Sequence, residues 1–290
     1  MKTVSENARD QQPVPTDTPE LAVLIKRIDS ALASSDGHQL REAIDQGFMD
    51  DVIPKNVDLH RWALMTLDQD RTSRIVGVLA SWPCPYCDHG LLCCEQCEGR
   101  SRFEDGTLCE RCLAFGVARC EFCVGSGWFT YSAVPRGFWA PVLLERCQRA
   151  FGEIDMLFRR ALPIVSVSSA TNCRKELAKN VLVLDRWLGV LDNALSAGHD
   201  SSIFPEAFRP AVEQVLHRSI RIADQVRDRL RRCFRLLAEA AALEIGKGAS
   251  AAGRDLAKSR TIFYKSLAKR GSFSDTALRH ILLDESRKVR

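Results

Sequence analysis

The sequence predicts a mainly α-helical chain interrupted by a small, cysteine-rich, hairpin-like module. Three observations carry that expectation. Apolar residues recur three and four apart along most of residues 19–82 and 140–290, the spacing of one helix face. Nine of the twelve cysteines fall between Cys84 and Cys123. That stretch is punctuated by glycines and has no helical period.

The elements follow in order. Residues 1–18 are polar, with Pro13, Pro15 and Pro19 close together, and read as a disordered tail. Thr18 is placed to cap a helix with Pro19 at its first position, and Leu21, Leu24, Ile25, Ile28 and Leu32 form one apolar stripe. A shorter helix is expected over 36–48, ending near Gly47, and one or two more over 56–82, before Pro83. After the cysteines, residues 128–139 are rich in aromatic and β-branched side chains and suggest a short strand or an extended connector. Helices are then expected over 140–162 and 171–198, the latter ended by Gly198. A long one runs from near Pro205 to Leu243, with the stripe Val212, Val215, Ile222, Val226, Leu230, Phe234 and Leu237. Two further segments cover 251–271 and 275–290.

Composition narrows the class. The chain is 46% hydrophobic and 27% charged, a soluble globular balance, and its 290 residues can bury a core without covalent staples. The first twenty residues hold no apolar run, and no segment has the roughly 18 apolar residues of a membrane span. A reducing cytoplasmic setting is therefore expected, where clustered cysteines bind metal more often than they form disulfides. The net charge of +4 is unevenly spread. Residues 205–290 hold 19 basic and 10 acidic side chains, whereas residues 1–83 hold 9 and 13. Such asymmetry can mark a surface for nucleic acid or an acidic partner, or simply an arginine-rich solvated helix face.

Eight cysteines form four CxxC pairs: Cys84 with Cys87, Cys94 with Cys97, Cys109 with Cys112, and Cys120 with Cys123. A CxxC turn points both sulfurs to one side and makes half of a tetrahedral four-sulfur site, with Zn–S bonds of about 2.3 Å. Four halves make two zinc sites. Six residues separate Cys87 from Cys94, and seven separate Cys112 from Cys120. Nearly equal arms suggest a hairpin in which the outer pairs (Cys84, Cys87, Cys120, Cys123) share one zinc and the inner pairs (Cys94, Cys97, Cys109, Cys112) share the other. Pairing in sequence order is the competitor, and spacing alone does not exclude it. Cys93 could replace Cys94 as a ligand, and His89 could stand in for a sulfur.

The segment resembles the cysteine-rich domain of DnaJ-type co-chaperones, built on four CxxCxGxG repeats. Residues 120–127, CEFCVGSG, match the repeat in full; CEQCEGRS keeps Gly99 but has Ser101, and CERCLAFG has Ala114 but keeps Gly116. CPYCDHGL departs furthest, with Gly90 one place out of register. The short arms are similar to stand-alone modules such as the bundle-sheath-defective family of Rubisco chaperones. The resemblance spans residues 84–127. It implies nested pairing of the ligands and a zinc-stabilised hairpin that binds other polypeptides. The His-Pro-Asp tripeptide of a J domain is missing, so recruitment of a heat-shock ATPase is not implied.

Catalytic signals are sparse. There are six histidines, and no HExxH, Walker A, GxSxG or dinucleotide-binding fingerprint. No CxxC pair has the strand-to-helix context of a redox thiol, and Cys147, Cys173 and Cys233 fall within expected helices, where buried thiols are inert. Closed four-cysteine sites leave no position for substrate, so the zinc is expected to be structural and the protein not an enzyme. The fold class expected is therefore mainly α: an N-terminal helical domain (19–82) and a C-terminal helical bundle (129–290), with a two-zinc β-hairpin-like module (83–128) as an elbow between them. The expected role is binding of a client or partner protein by a non-ATPase chaperone, assembly factor or adaptor, with the hairpin loop around Phe103 to Leu108 as the candidate contact. The alternatives are nucleic-acid binding by the basic C-terminal helices, where Arg218, Arg221, Arg229, Arg232 and Arg235 share a face, and thiol–disulfide exchange.

Overall fold

A computed structural model describes residues 18–100, 103–105, 109, 112, 116–159, 174–245 and 251–270. The expected tail over 1–17, the segment 275–290, Cys173, Ser101, Ala114 and the hairpin loop at 106–108 lie outside these residues. The chain divides into two compact units, residues 1–79 and 80–290.

The first unit is helical. Helix α1 (Pro19–Ser34) starts as expected, with Thr18 Oγ1 accepting from the Leu21 N–H at 3.2 Å. Helix α2 (Gly37–Met49) is capped by Asp36, which accepts from the His38 and Gln39 N–H groups. Helix α3 (Leu59–Thr66) is capped in the same way by Asp58. Each such cap satisfies N–H groups that a helix cannot pair internally. Helix α2 runs past Gly47 instead of ending there, because Gly47 is used for packing: a Cβ would meet Ile53 and Leu24 within 3.0 Å. The region expected as one or two helices is two, α3 and α4 (Gln69–Ser81). The core holds Leu21, Leu24, Ile28, Leu40, Ile44 and Ile53, and a forked Arg71–Asp29 pair at 2.9 and 3.2 Å joins α4 to α1.

Among the described residues, the second unit joins a small hairpin to four helices. Strands β1 (Leu91–Cys93) and β2 (Val117–Arg119) pair antiparallel, Leu92 opposite Ala118. Residues 128–139 form no regular strand. Trp128 makes one isolated bridge with Pro83, and two short 3-10 turns follow at Tyr131–Ala133 and Arg136–Phe138. Helices α5 (Trp139–Arg159), α6 (Arg174–Ala197), α7 (Arg209–Ile245) and α8 (Ala251–Arg270) pack as neighbours, α7 against the other three. Among the described residues the architecture is mainly α, with this single two-stranded sheet. No described helix is long and apolar enough to cross a membrane.

The buried line of α7 differs in detail from the expected stripe. Val212, Val226, Leu230, Phe234 and Leu237 are buried, but Val215 and Ile222 are only half-buried. Ser219 and Ala223 are buried in their place. Small side chains let helices approach closely, and Ser219 Oγ lies 3.7 Å from Cys147 Sγ of α5.

The two ends of the cysteine segment meet on α5. Trp82 O accepts from the Phe129 N–H at 3.0 Å, and their rings lie 4.5 Å apart. Arg146, 3% exposed, donates from Nε to Ala80 O at 2.9 Å and from Nη1 to Phe129 O at 2.8 Å. Its guanidinium lies over the Tyr131 ring at 5.0 Å and the Trp128 ring at 5.6 Å. One buried side chain thus fastens the chain on both sides of the module.

Candidate metal centre

The eight CxxC cysteines form two groups. Cys84, Cys87, Cys120 and Cys123 bring their sulfurs within 4.8 Å of one another, and so do Cys94, Cys97, Cys109 and Cys112. The grouping is nested: the outer pairs meet at the base of the hairpin and the inner pairs beyond its strands. The strands cause this. Register places Leu91 opposite Arg119 and Cys93 opposite Val117, so the knuckle before β1 faces the knuckle after β2. Gly90 O then accepts from the Cys120 N–H at 2.8 Å, and Gly116 O from the Cys94 N–H at 2.9 Å.

Distances decide between metal and disulfide chemistry. The S···S separations are 3.6 Å for Cys87–Cys123, 3.8 Å for Cys94–Cys109 and 3.6 Å for Cys97–Cys112. A disulfide needs about 2.05 Å. A tetrahedron with metal–sulfur bonds of about 2.3 Å has edges of about 3.8 Å. None of the described cysteines is in a disulfide. Each group therefore has the donors and the spacing to hold one metal ion. Burial first, and the neighbouring sulfurs after it, push the Cys87 and Cys112 thiols up, so without a cation these two favour the neutral form. Four thiolates this close are compatible only around a cation.

The second and fourth knuckles share one turn. After Cys97 and Cys123 the next residue, Glu98 or Val124, is left-handed (φ 51°), and Gly99 or Gly125 follows with positive φ. Gly99 N–H donates back to Cys94 O and Gly125 N–H to Cys120 O. Gly116 N–H points at Cys112 Sγ (3.1 Å) and Gly127 N–H at Cys123 Sγ (3.3 Å), the donors a thiolate needs. The first knuckle is one residue longer. There the left-handed residue is His89 rather than Asp88, and Gly90 (φ 91°) follows. The displaced glycine of the first repeat thus marks a displaced turn, and a Cβ at Gly90 would run into the Gly125 carbonyl. Cys93 and His89 belong to neither sulfur group. Cys93 is exposed, and His89 lies 3.7 Å from Asp88.

The outer group is fastened to α6. Asn193 Nδ2 donates to Cys123 O at 3.0 Å, and Arg186 Nε to Ser126 O at 3.3 Å. Arg119 Nε donates to Val124 O at 2.8 Å, while its Nη1 lies 3.8 Å from Asp185 Oδ2. Arg186 also lies over Trp187 and Trp128. Gly127 N–H turns inward to sulfur, while the Cys123 and Ser126 carbonyls accept from α6. Gly189 lets the knuckle in. A Cβ there would sit 2.6 Å from both Val124 O and Arg119 Nη2. Helix propensity alone would make Gly189→Ala stabilising by about 1 kcal/mol. The contact reverses the sign, and denaturant unfolding should show a loss of roughly 1–3 kcal/mol with the metal content unchanged. A stabilised variant would mean that the approach is not tight.

Comparison of the chain with protein-family models, with curated proteins and with solved structures finds no match. The reading of this centre therefore stands on its own geometry.

Sequence reasoning did not identify Arg119, Arg146, Asp185, Arg186, Gly189 or Asn193. The two buried helical thiols, Cys147 and Cys233, are not poised for chemistry. Cys147 is buried, which pushes its pKa up to about 11, and burial raises Cys233 as well. The basic face of α7 is partly committed: Arg218 lies 4.4 Å from the centroid of the Phe151 ring, Arg229 covers Phe158, and Arg231 pairs with Asp228.

Proposed function

We propose that the two cysteine groups hold two structural zinc ions, and that the chain is a zinc-stabilised protein-binding protein rather than an enzyme. On this reading it acts as a chaperone, assembly factor or adaptor without ATP hydrolysis. The observation that carries it is the closure of both sites. Four sulfurs would fill all four positions around each ion and leave none for water or substrate. The similarity of residues 84–127 to the DnaJ-type cysteine-rich hairpin supports the same reading. The zinc would draw the hairpin tight, while Asn193, Arg186 and Arg119 hold its outer knuckle on α6.

Nucleic-acid binding by the basic helices has less support, because Arg218 and Arg229 of that face lie over the Phe151 and Phe158 rings of α5. Thiol–disulfide exchange has less support still, because sulfurs held by zinc are masked as nucleophiles.

The test is suppression of aggregation of a chemically unfolded reporter protein diluted into buffer without ATP. The metal-loaded chain should suppress aggregation, and the chelated chain should not. Equal behaviour of the two forms, or salt-sensitive binding of generic DNA in place of suppression, would send the reading elsewhere.

A further inference from the structure

The outer knuckles end in an aromatic pair left in solvent. Tyr86 and Phe122 hold the same place in their CxxC turns, and their ring centroids lie 4.4 Å apart with planes tilted by 31°. They are 58% and 64% exposed, and Val124 beside them is 41% exposed. This knuckle is fastened to α6 through the Cys123 and Ser126 carbonyls, so the rings are not needed for that attachment.

The surroundings are acidic. Exposed Asp88 follows Cys87, and exposed Glu121 precedes Phe122. Residues 84–128 hold seven acidic and four basic side chains. Four thiolates around a divalent ion leave a formal charge of about −2 at each centre. Two of the four arginines are used internally, Arg119 towards Asp185 and Val124 O, and Arg100 towards Glu98 and Glu104. Exposed aromatic faces in a negative field attract a guanidinium or ammonium group, through the ring quadrupole and through flanking carboxylates. The same field repels a phosphate backbone.

We propose that the Tyr86–Phe122 pair is a docking surface for a basic, arginine- or lysine-bearing segment of a partner polypeptide, with the cation seated on the rings between Asp88 and Glu121. This rests on the protein-binding reading above and names the chemistry of its partner.

Fluorescence polarisation of the full metal-loaded chain tests it. The probe is a labelled unstructured peptide of arginine, leucine and glycine; the control replaces each arginine by glutamate. The basic peptide should bind and weaken as salt is raised, and the acidic one should not bind. Tyr86→Ala with Phe122→Ala should weaken binding about tenfold or more, and Asp88→Asn with Glu121→Gln by several-fold, each with the metal content of the parent. Binding that ignores both double variants overturns this surface while leaving protein binding intact. A Tyr86/Phe122-dependent self-association without peptide binding assigns the surface to a second copy and overturns the proposal. Absence of peptide binding together with absence of aggregation suppression removes both readings.

Discussion

Purified protein should contain about two zinc ions per chain, and removing them should cause the largest loss of stability open to this molecule. Structural zinc contributes about 10–16 kcal/mol apparent in small zinc peptides, against a total of about 5–15 kcal/mol for an ordinary domain. Within the hairpin itself little else holds it: its strands are three residues each, and the side chains buried within its two clusters are the cysteines themselves. Strong chelator should abolish the cooperative unfolding of the module while far-UV circular dichroism keeps most of its helical signal, which comes from α1 to α8. Acid should do the same, since protons compete with metal for thiolate and zinc affinity falls as pH falls. The two sites should differ. Cys123→Ser removes an outer ligand and loosens the carbonyls held by Asn193, Arg186 and Arg119. At about 1 kcal/mol per hydrogen bond, it should destabilise the second unit by roughly 2–4 kcal/mol more than Cys112→Ser at the inner site. Fewer than one zinc per chain would sink the metal reading, and equal effects of the two substitutions would sink the asymmetry.

Arg146→Met should be the most damaging single change away from the cysteines. Methionine fills much of the space but cannot donate, so Ala80 O and Phe129 O lose their partner in a buried place. Burial works against the charge of Arg146 and lowers its pKa, so the carbonyls and the rings of Tyr131 and Trp128 are what make a cation tolerable there. Leaving a buried carbonyl unpaired typically costs about 1–3 kcal/mol, and two lose their donor here. Arg146→Lys keeps the charge but not the fork that reaches two carbonyls at once, and should fall in between. Denaturant unfolding measures both. A loss below about 1 kcal/mol for Arg146→Met would show that the chain on either side of the module is held by something other than this side chain.

The helices and the knuckles were legible because their signals are local. Thr18 and Pro19 announce α1 within two residues, and a CxxC pair specifies its own turn. The contacts that fasten the knuckles to the helices were not. Asn193 meets Cys123, Arg186 meets Ser126 and Arg146 meets Ala80 across 60 to 70 residues of chain, and nothing in an isolated arginine or asparagine announces a distant carbonyl. The module lies in one compact unit with the C-terminal helices. Ser219 was overlooked in the α7 stripe because polarity hid what its small size does. The nested grouping was open at the level of spacing, and it follows from strand register, a long-range property.

Cys93 stands on the exposed side of its strand, while both sulfur groups are closed and Cys147 and Cys233 are buried. Among the described thiols it is therefore the natural address for a maleimide dye in the metal-loaded state. Such a label would sit on the metal module itself, one residue from an inner-group sulfur, and could report by its own fluorescence when that site empties.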